Sequence, residues 1–272
     1  MADRLAGKVV VVTGSSGIAA AGAHRFAAEG AAVWVIARDV AKGEALVDGI
    51  RAHGGRAGFV AADLRDESAA IAAVAGARAA FGRVDGLFAV AGGSGRRAGD
   101  GPLHTIPLEG WTETLALNGT PPFLAAREVV RTLLEQGSGG SIVLVSSVLA
   151  TDPVPSLFAT HAYAAVKGAE DALARTAAAY YAPQGIRVNV VAPGLVDTPM
   201  SARAQGDPVT SGYVVAKQPL AGGFLPAESI ADAALFLLSD EARHITGQRL
   251  AVDGGWSVTE ADVASGGAGS RA

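Results

Sequence analysis

Residues 9–20 read VVVVTGSSGIAA. Four consecutive valines suit a strand buried on both faces, because a strand with one wet face would alternate apolar and polar residues. The turn that follows is glycine-rich and runs into small, helix-forming residues. A helix N-terminus presents unpaired N–H groups and about half a positive charge, so a strand–turn–helix of this kind can seat a pyrophosphate. Gly14 would allow the tight turn, and Gly17 would let the backbone approach the phosphates. Ala19 would supply the third small position, where helix packs on strand. Ser15, Ser16 and Ile18 complete the candidate phosphate loop. The same residues are also compatible with a turn that holds nothing.

The rest of the chain repeats the pattern. Short runs rich in Val and Ile recur at Val9–Val12, Val33–Ile36, Gly58–Ala61, Val84–Val90, Ser141–Val145, Arg187–Val191 and Arg249–Val252. Alanine-rich stretches of helical length lie between them, at Ala19–Glu29, Glu67–Phe81, Leu108–Glu135, Ala162–Tyr181 and Ala227–Leu238. Strands alternating with helices predict an α/β fold of the Rossmann type, a doubly wound parallel seven-stranded sheet with helices on both faces. The 272 residues are half apolar and 18% charged, enough for a sizeable core. No break in composition marks a second domain. Residues 1–263 are expected to form one dinucleotide-binding and catalytic domain, with 264–272 a frayed tail.

Composition removes several functions. The net charge of -4 and the absence of a basic stripe argue against nucleic acid. There is no cysteine, hence no disulfide, thiolate metal site or cysteine nucleophile, and the five histidines are scattered, so no metal is expected. The N-terminal segment resembles neither a signal peptide nor a membrane span. A soluble cytoplasmic protein without membrane partners is the expectation.

Ligands of such sheets bind beyond the carboxyl ends of the strands. After the second strand comes Ala37-Arg38-Asp39. Arg38 could pair with a 2′-phosphate, which favours NADP(H) over NAD(H), though NAD(H) stays possible. Alternatively Arg38 is a solvated charge and Asp39 caps the next helix. Asp63 and Leu64 follow the third strand and could flank an adenine; an N-cap aspartate would look the same. Tyr163 and Lys167 stand four apart in HAYAAVKGAEDAL and share a helix face. An ammonium one turn away would favour the phenolate and make the tyrosine a usable acid–base group, whereas a surface pair would show the same spacing. Ser147 ends the strand SIVLVS, where it could donate to a carbonyl oxygen. Asn118 could interrupt its helix and hold a water, and Pro121-Pro122 supports a bend there.

On these motifs the chain resembles the single-domain short-chain dehydrogenases/reductases. The similarity runs from about Lys8 to Trp256 through TGSSGIA, ADL (62–64), AVAGG (89–93), Asn118, Ser146-Ser147, YAAVK, VNVVAPGLVDTP (188–199) and TGQRLAVDGGW (246–256). The resemblance implies an oxidoreductase that passes a hydride between NADP(H) and a ketone, aldehyde or secondary alcohol. It assigns proton transfer to Tyr163, carbonyl orientation to Ser147, and tyrosine tuning and ribose binding to Lys167. Asn118 would anchor a relay water. The cofactor would also meet Ala91 and Gly92, and Pro193, Gly194, Val196 and Thr198 would meet the nicotinamide amide. The partner implied is a small-molecule carbonyl or alcohol. Association through the two long helices would give a homotetramer or dimer.

The sequence also departs from that pattern. Its glycine loop is one residue short, so the spacing GxxGxxA is closer to the sugar-nucleotide branch of the superfamily, and AVAG replaces NNAG. The Ser147–Tyr163 interval is about three residues long of the norm. These departures motivate an alternative reading as a non-catalytic dinucleotide sensor or scaffold. A sugar-nucleotide epimerase ranks behind both, since too short a stretch follows Pro199. Arg96-Arg97 could contact an anion but is read as part of a solvated loop. Residues 201–223 stand where the family keeps its substrate lid.

Overall fold

The computed structural model describes residues 3–261; the tail expected at 264–272 lies outside the described residues. In chain order the main elements begin with β1 (Val9–Thr13), α1 (Ile18–Ala28), β2 (Ala32–Ala37), α2 (Val40–Ala52), β3 (Arg56–Ala61), α3 (Glu67–Phe81) and β4 (Gly86–Ala89). There follow α4 (Leu108–Asn118), α5 (Thr120–Gln136), β5 (Gly140–Val145), α6 (His161–Tyr181), β6 (Ile186–Pro193), α7 (Ala202–Gln205), α8 (Pro208–Lys217), α9 (Ala227–Leu238) and β7 (Arg249–Val252).

The strands form one sheet in the order β3-β2-β1-β4-β5-β6-β7, and every pairing is parallel. The order reverses between β1 and β4, which opens a crevice at the carboxyl ends of those two strands. The doubly wound seven-stranded sheet expected from the sequence is the observed one.

The unbroken valines are explained by what covers each face. Val10 and Val12 join Ala23 and Phe26 of α1 and Leu235 of α9 in one apolar cluster, with Phe88 and Val143. Val11 points the opposite way, into a second cluster with Val74 of α3, Val129 of α5 and Ala174 of α6. Side chains alternate in β4 and β5 too, with Phe88 and Val143 on the first face and Leu87 and Ile142 on the second. A strand read by two cores needs apolar residues at every position.

Three details differ from expectation. The helix expected over Leu108–Glu135 is two helices meeting at Gly119, because Pro121 and Pro122 have no N–H to offer the carbonyls four residues back. β4 is only Gly86–Ala89. Residues 201–223 are largely helical, with Asp207 capping α8 through the N–H groups of Val209 and Thr210. Among the described residues no helix is long and apolar enough to cross a membrane.

Gly22 of α1 lies over the first core. A Cβ there would sit 2.6 Å from Cε1 of Phe88 and 3.3 Å from Cε2 of Phe26. These two rings are fully buried and packed edge to face, 5.4 Å apart. Gly22→Ala should therefore lower the thermal midpoint, although alanine in a helix is intrinsically favoured by about 1 kcal/mol. Calorimetry that found the variant more stable than the parent would contradict this packing.

Candidate active site

The glycine loop leaves β1 with Gly14 at φ 106° and Gly17 at φ 52°, left-handed values that other residues rarely adopt. A Cβ at Gly14 would lie 3.0 Å from the Cβ of Ala19, so the methyl at 19 fits because residue 14 has none. α1 starts at Gly17 without a side-chain cap, so its first-turn N–H groups are free of side-chain acceptors. Ser16 is exposed, Ser15 is partly so, and Ile18 packs against the core beneath. Across the crevice the loop faces Thr198: a Cβ at Gly17 would approach Thr198 Cγ2 to 2.9 Å.

Arg38 is exposed at the end of β2, and its charge helps hold the Asp63 carboxyl below its ordinary value. The larger cause is Arg65, whose guanidinium reaches Asp63 Oδ2 at 2.7 Å. Asp63 is not the N-cap of α3; Asp66 is, accepting from Ala69 N. Leu64 turns its side chain into the second core, so only its backbone faces outward. Asp39 does cap α2, through Lys42 N.

The AVAG segment is braced from two sides. Thr13 Oγ1 accepts from the N–H groups of Val90 and Ala91, both at 3.0 Å, and ties β1 to the segment after β4. Asn118 Oδ1 accepts from Gly93 N at 2.9 Å, and its amide donates to Thr114 O. A Cβ at Gly92 would come within 2.7 Å of Asn118 Oδ1, so that close approach needs glycine. Asn118 is fully buried and its side chain is committed to these braces. The group it can offer a water is its main-chain carbonyl, since the residue four further on is Pro122.

Ser146 and Ser147 divide their work. Ser146 is buried and donates to Lys167 O at 2.9 Å, locking β5 to α6. Ser147 accepts from Leu149 N and lies close enough to Tyr163 to favour its ionised form. The start of α6 is fixed from outside. Thr160 provides no side-chain cap; instead the buried Asp100 carboxylate accepts from Ala162 N at 2.9 Å and Tyr163 N at 3.1 Å. His161 is exposed and bonds Gly101 O.

Lys167 is buried, with Nζ donating to Val145 O and Glu170 Oε1, both at 2.8 Å, and lying 5.8 Å from the Tyr163 ring centre. Burial pulls its pKa down, but the charges of Glu170, Tyr163 and Asp171 outweigh this and leave it raised. Tyr163 departs from expectation. Lys167 does favour its phenolate, but burial is the stronger influence and Glu170 adds to it, so the net shift is upward.

After β6 the backbone of Leu195 is held on both sides by the buried Gln218, whose Oε1 accepts from Leu195 N and whose amide donates to Leu195 O. A Cβ at Gly194 would collide with that amide, 2.1 Å from Oε1. Pro193 and Val196 are buried and Thr198 is partly so. Tyr213 and Val214 of α8 pack with Val148, Val154 and Trp256 in a third apolar cluster. Arg97 is exposed, as a solvated loop requires, but Arg96 is half-buried and donates to Leu157 O; burial and the nearby Arg203 lower its pKa. Asp100 and Gln218 escape sequence motifs, because each acts on main-chain groups distant in the chain; Thr13, Arg96 and Glu170 stand in the stretches named above, but nothing in the spacing reveals their partners.

Comparisons with known proteins agree with this geometry. A family profile described as enoyl-(acyl carrier protein) reductase matches residues 12–257. The 2,5-dichloro-2,5-cyclohexadiene-1,4-diol dehydrogenase LinX of Sphingobium indicum is 38% identical over 261 residues, 95% of this chain and 99% of that one. A short-chain type dehydrogenase/reductase from Mycobacterium ulcerans superposes with a TM-score of 0.87 at 31% identity, covering 94% of this chain and 91% of the other. A Beutenbergia cavernae structure, described as an NAD(P)-dependent gluconate 5-dehydrogenase with NADP at low occupancy, gives a TM-score of 0.86 at 35% identity over 95% and 100% of the two chains. The fold and crevice are those of a dinucleotide-dependent oxidoreductase. The chain belongs to the short-chain dehydrogenase/reductase family and is an NAD(P)-dependent enzyme.

Removing the Asp100 carboxylate would leave two buried N–H groups at the start of α6 without an acceptor. Asp100→Ala should cost about 1–2 kcal/mol of stability, read by urea denaturation, and should slow turnover by loosening Tyr163. Unchanged stability would show that α6 does not depend on this cap.

Proposed function

We propose that this enzyme interconverts a ketone or aldehyde and the corresponding alcohol, with NADP(H) preferred over NAD(H). The observation that carries the reading is the convergence of Ser147, Tyr163 and the buried Lys167 at the carboxyl end of β5, beside β4 and its crevice with β1.

The crevice residues fit a dinucleotide. Gly14 and Gly17 leave a cradle that side chains would fill, and the uncapped start of α1 offers N–H groups to an anion. Gly14, Ser15, Ser16, Gly17 and Ile18 would hold the pyrophosphate. Arg38 would pair with a 2′-phosphate, and Asp63 and the Leu64 backbone would border the adenine. Ala91 and Gly92 would line the middle of the crevice. Pro193, Gly194, Val196 and Thr198 would meet the carboxamide, and Lys167 and Tyr163 the nicotinamide ribose. When bound, the cofactor supplies or accepts the hydride.

The chain's own part is proton handling. Ser147 donates to the substrate oxygen and fixes its position. Tyr163 gives that oxygen a proton in reduction and takes one in oxidation. Lys167 stabilises the phenolate, and the Asn118 carbonyl can hold the water that links this site to solvent. The partner is a small-molecule carbonyl or alcohol. Exposed Phe123 and Leu134 on α5 and Tyr180 on α6 support self-association through those helices as a dimer or tetramer.

Tyr163→Phe should bind NADPH with near-parental affinity in a fluorescence titration and lose turnover by about 10²–10⁴-fold; normal turnover would end the assignment. The raised Tyr163 pKa gives the pH dependence a sign. Oxidation needs the phenolate and should accelerate as pH rises above neutrality, while reduction uses the phenol and should not. Arg38→Ala should weaken NADPH by about tenfold or more and leave NADH unaffected, with equal losses for both cofactors counting against a 2′-phosphate contact.

A further inference from the structure

Glu170 follows Lys167 by three residues on α6, and both are buried, at 3% and 6% exposure. Lys167 Nζ has three N–H bonds. Val145 O takes one at 2.8 Å and Glu170 Oε1 another at 2.8 Å, leaving one for the crevice beside Tyr163. Glu170 Oε2 is buried with no hydrogen-bond partner among the described residues. A carboxylate half-satisfied in this way is poorly stabilised as an anion, and a proton on it relieves the cost.

We propose that Glu170 is a positioning residue for the proton chemistry at Tyr163: its carboxylate holds the Lys167 ammonium against β5, and its protonation decides how much of that ammonium's charge reaches the phenol. The inference rests on the reading of Tyr163 as the acid–base group. With Glu170 ionised, carboxylate and ammonium largely cancel and Tyr163 faces a dipole. With Glu170 protonated, the ammonium is uncompensated and Tyr163 ionises more readily. Each group exchanges its own proton with solvent; Lys167 keeps its charge throughout, and no proton passes between them. The other charged groups here are Asp171 on α6 and, from β7, Arg249, whose Nε lies 3.2 Å from Asp171 Oδ2. β5 and the residue after it contribute only neutral groups, the Val145 carbonyl and Ser146. Burial, partly opposed by Lys167, raises Glu170 from 4.5 to about 7, so the exchange falls in the neutral range.

The test needs no substrate. Tyrosinate absorbance is titrated in the full chain, with the Tyr163→Phe variant subtracted to remove Tyr180, Tyr181 and Tyr213. Glu170→Gln keeps the shape and the acceptor toward Nζ but removes the charge. It should lower the Tyr163 midpoint by about one unit, giving about tenfold more phenolate at a given pH, and should move the alkaline limb of the kcat/KM profile for oxidation the same way. Glu170→Asp, which keeps the charge, should leave the midpoint near the parental value, so an equal shift in both variants would mark a packing effect and overturn the inference. A merely structural glutamate would leave the midpoint in place in the glutamine variant. That result overturns the inference while the reading of Tyr163 stands, since the latter fails only if Tyr163→Phe turns over.

Discussion

Everything at this site depends on an ammonium held out of water. Lys167 is buried beneath the carboxyl end of β5, and a buried cation is costly unless its N–H bonds find acceptors. The Val145 carbonyl and Glu170 Oε1 are those acceptors, the second whether or not the carboxyl carries a proton on its other oxygen. Ser146 reinforces this hold by bonding the Lys167 main-chain carbonyl, so strand and helix are stitched by both the side chain and the backbone of one residue. Tyr163 and Ser147 then inherit their positions from a junction that cannot slide without exposing charge.

The shortened glycine loop is compatible with this arrangement because its loss of length is absorbed locally. Glycine at 14 makes space for the methyl of Ala19, and the loop closes against Thr198. Thr13 and Asn118 brace the main chain of the AVAG segment and the glycine after it. The shortened loop and the AVAG segment are thus both held by contacts of this chain's own residues.

Much of this was legible in the sequence, and the reason is physical. Parallel strands covered on both faces are continuous apolar runs, and glycine, serine, tyrosine and lysine at strand ends have few ways to be arranged. The features that stayed hidden depend on distance in the chain. Asp100 caps a helix that begins 61 residues later, with His161. Gln218 braces Leu195, which stands 23 residues earlier. Leu64, read as a neighbour of the adenine, is drawn into the core by Val74 and Ile36. Tyr163 shows a further limit: the spacing of tyrosine and lysine reveals the stabilising cation, whereas burial and the Glu170 carboxylate, which reverse the net shift, appear only once the helix is packed.

The third apolar cluster has a mechanical consequence. Trp256 is wholly buried, stacks edge-on against Tyr213 of α8 at 5.6 Å, and donates its indole N–H to Asp152 O in the segment between Ser147 and Tyr163. One rigid ring thus bolts α8 to the segment around Asp152, two pieces from distant parts of the chain. Neither can swing alone without opening a hole around a buried indole.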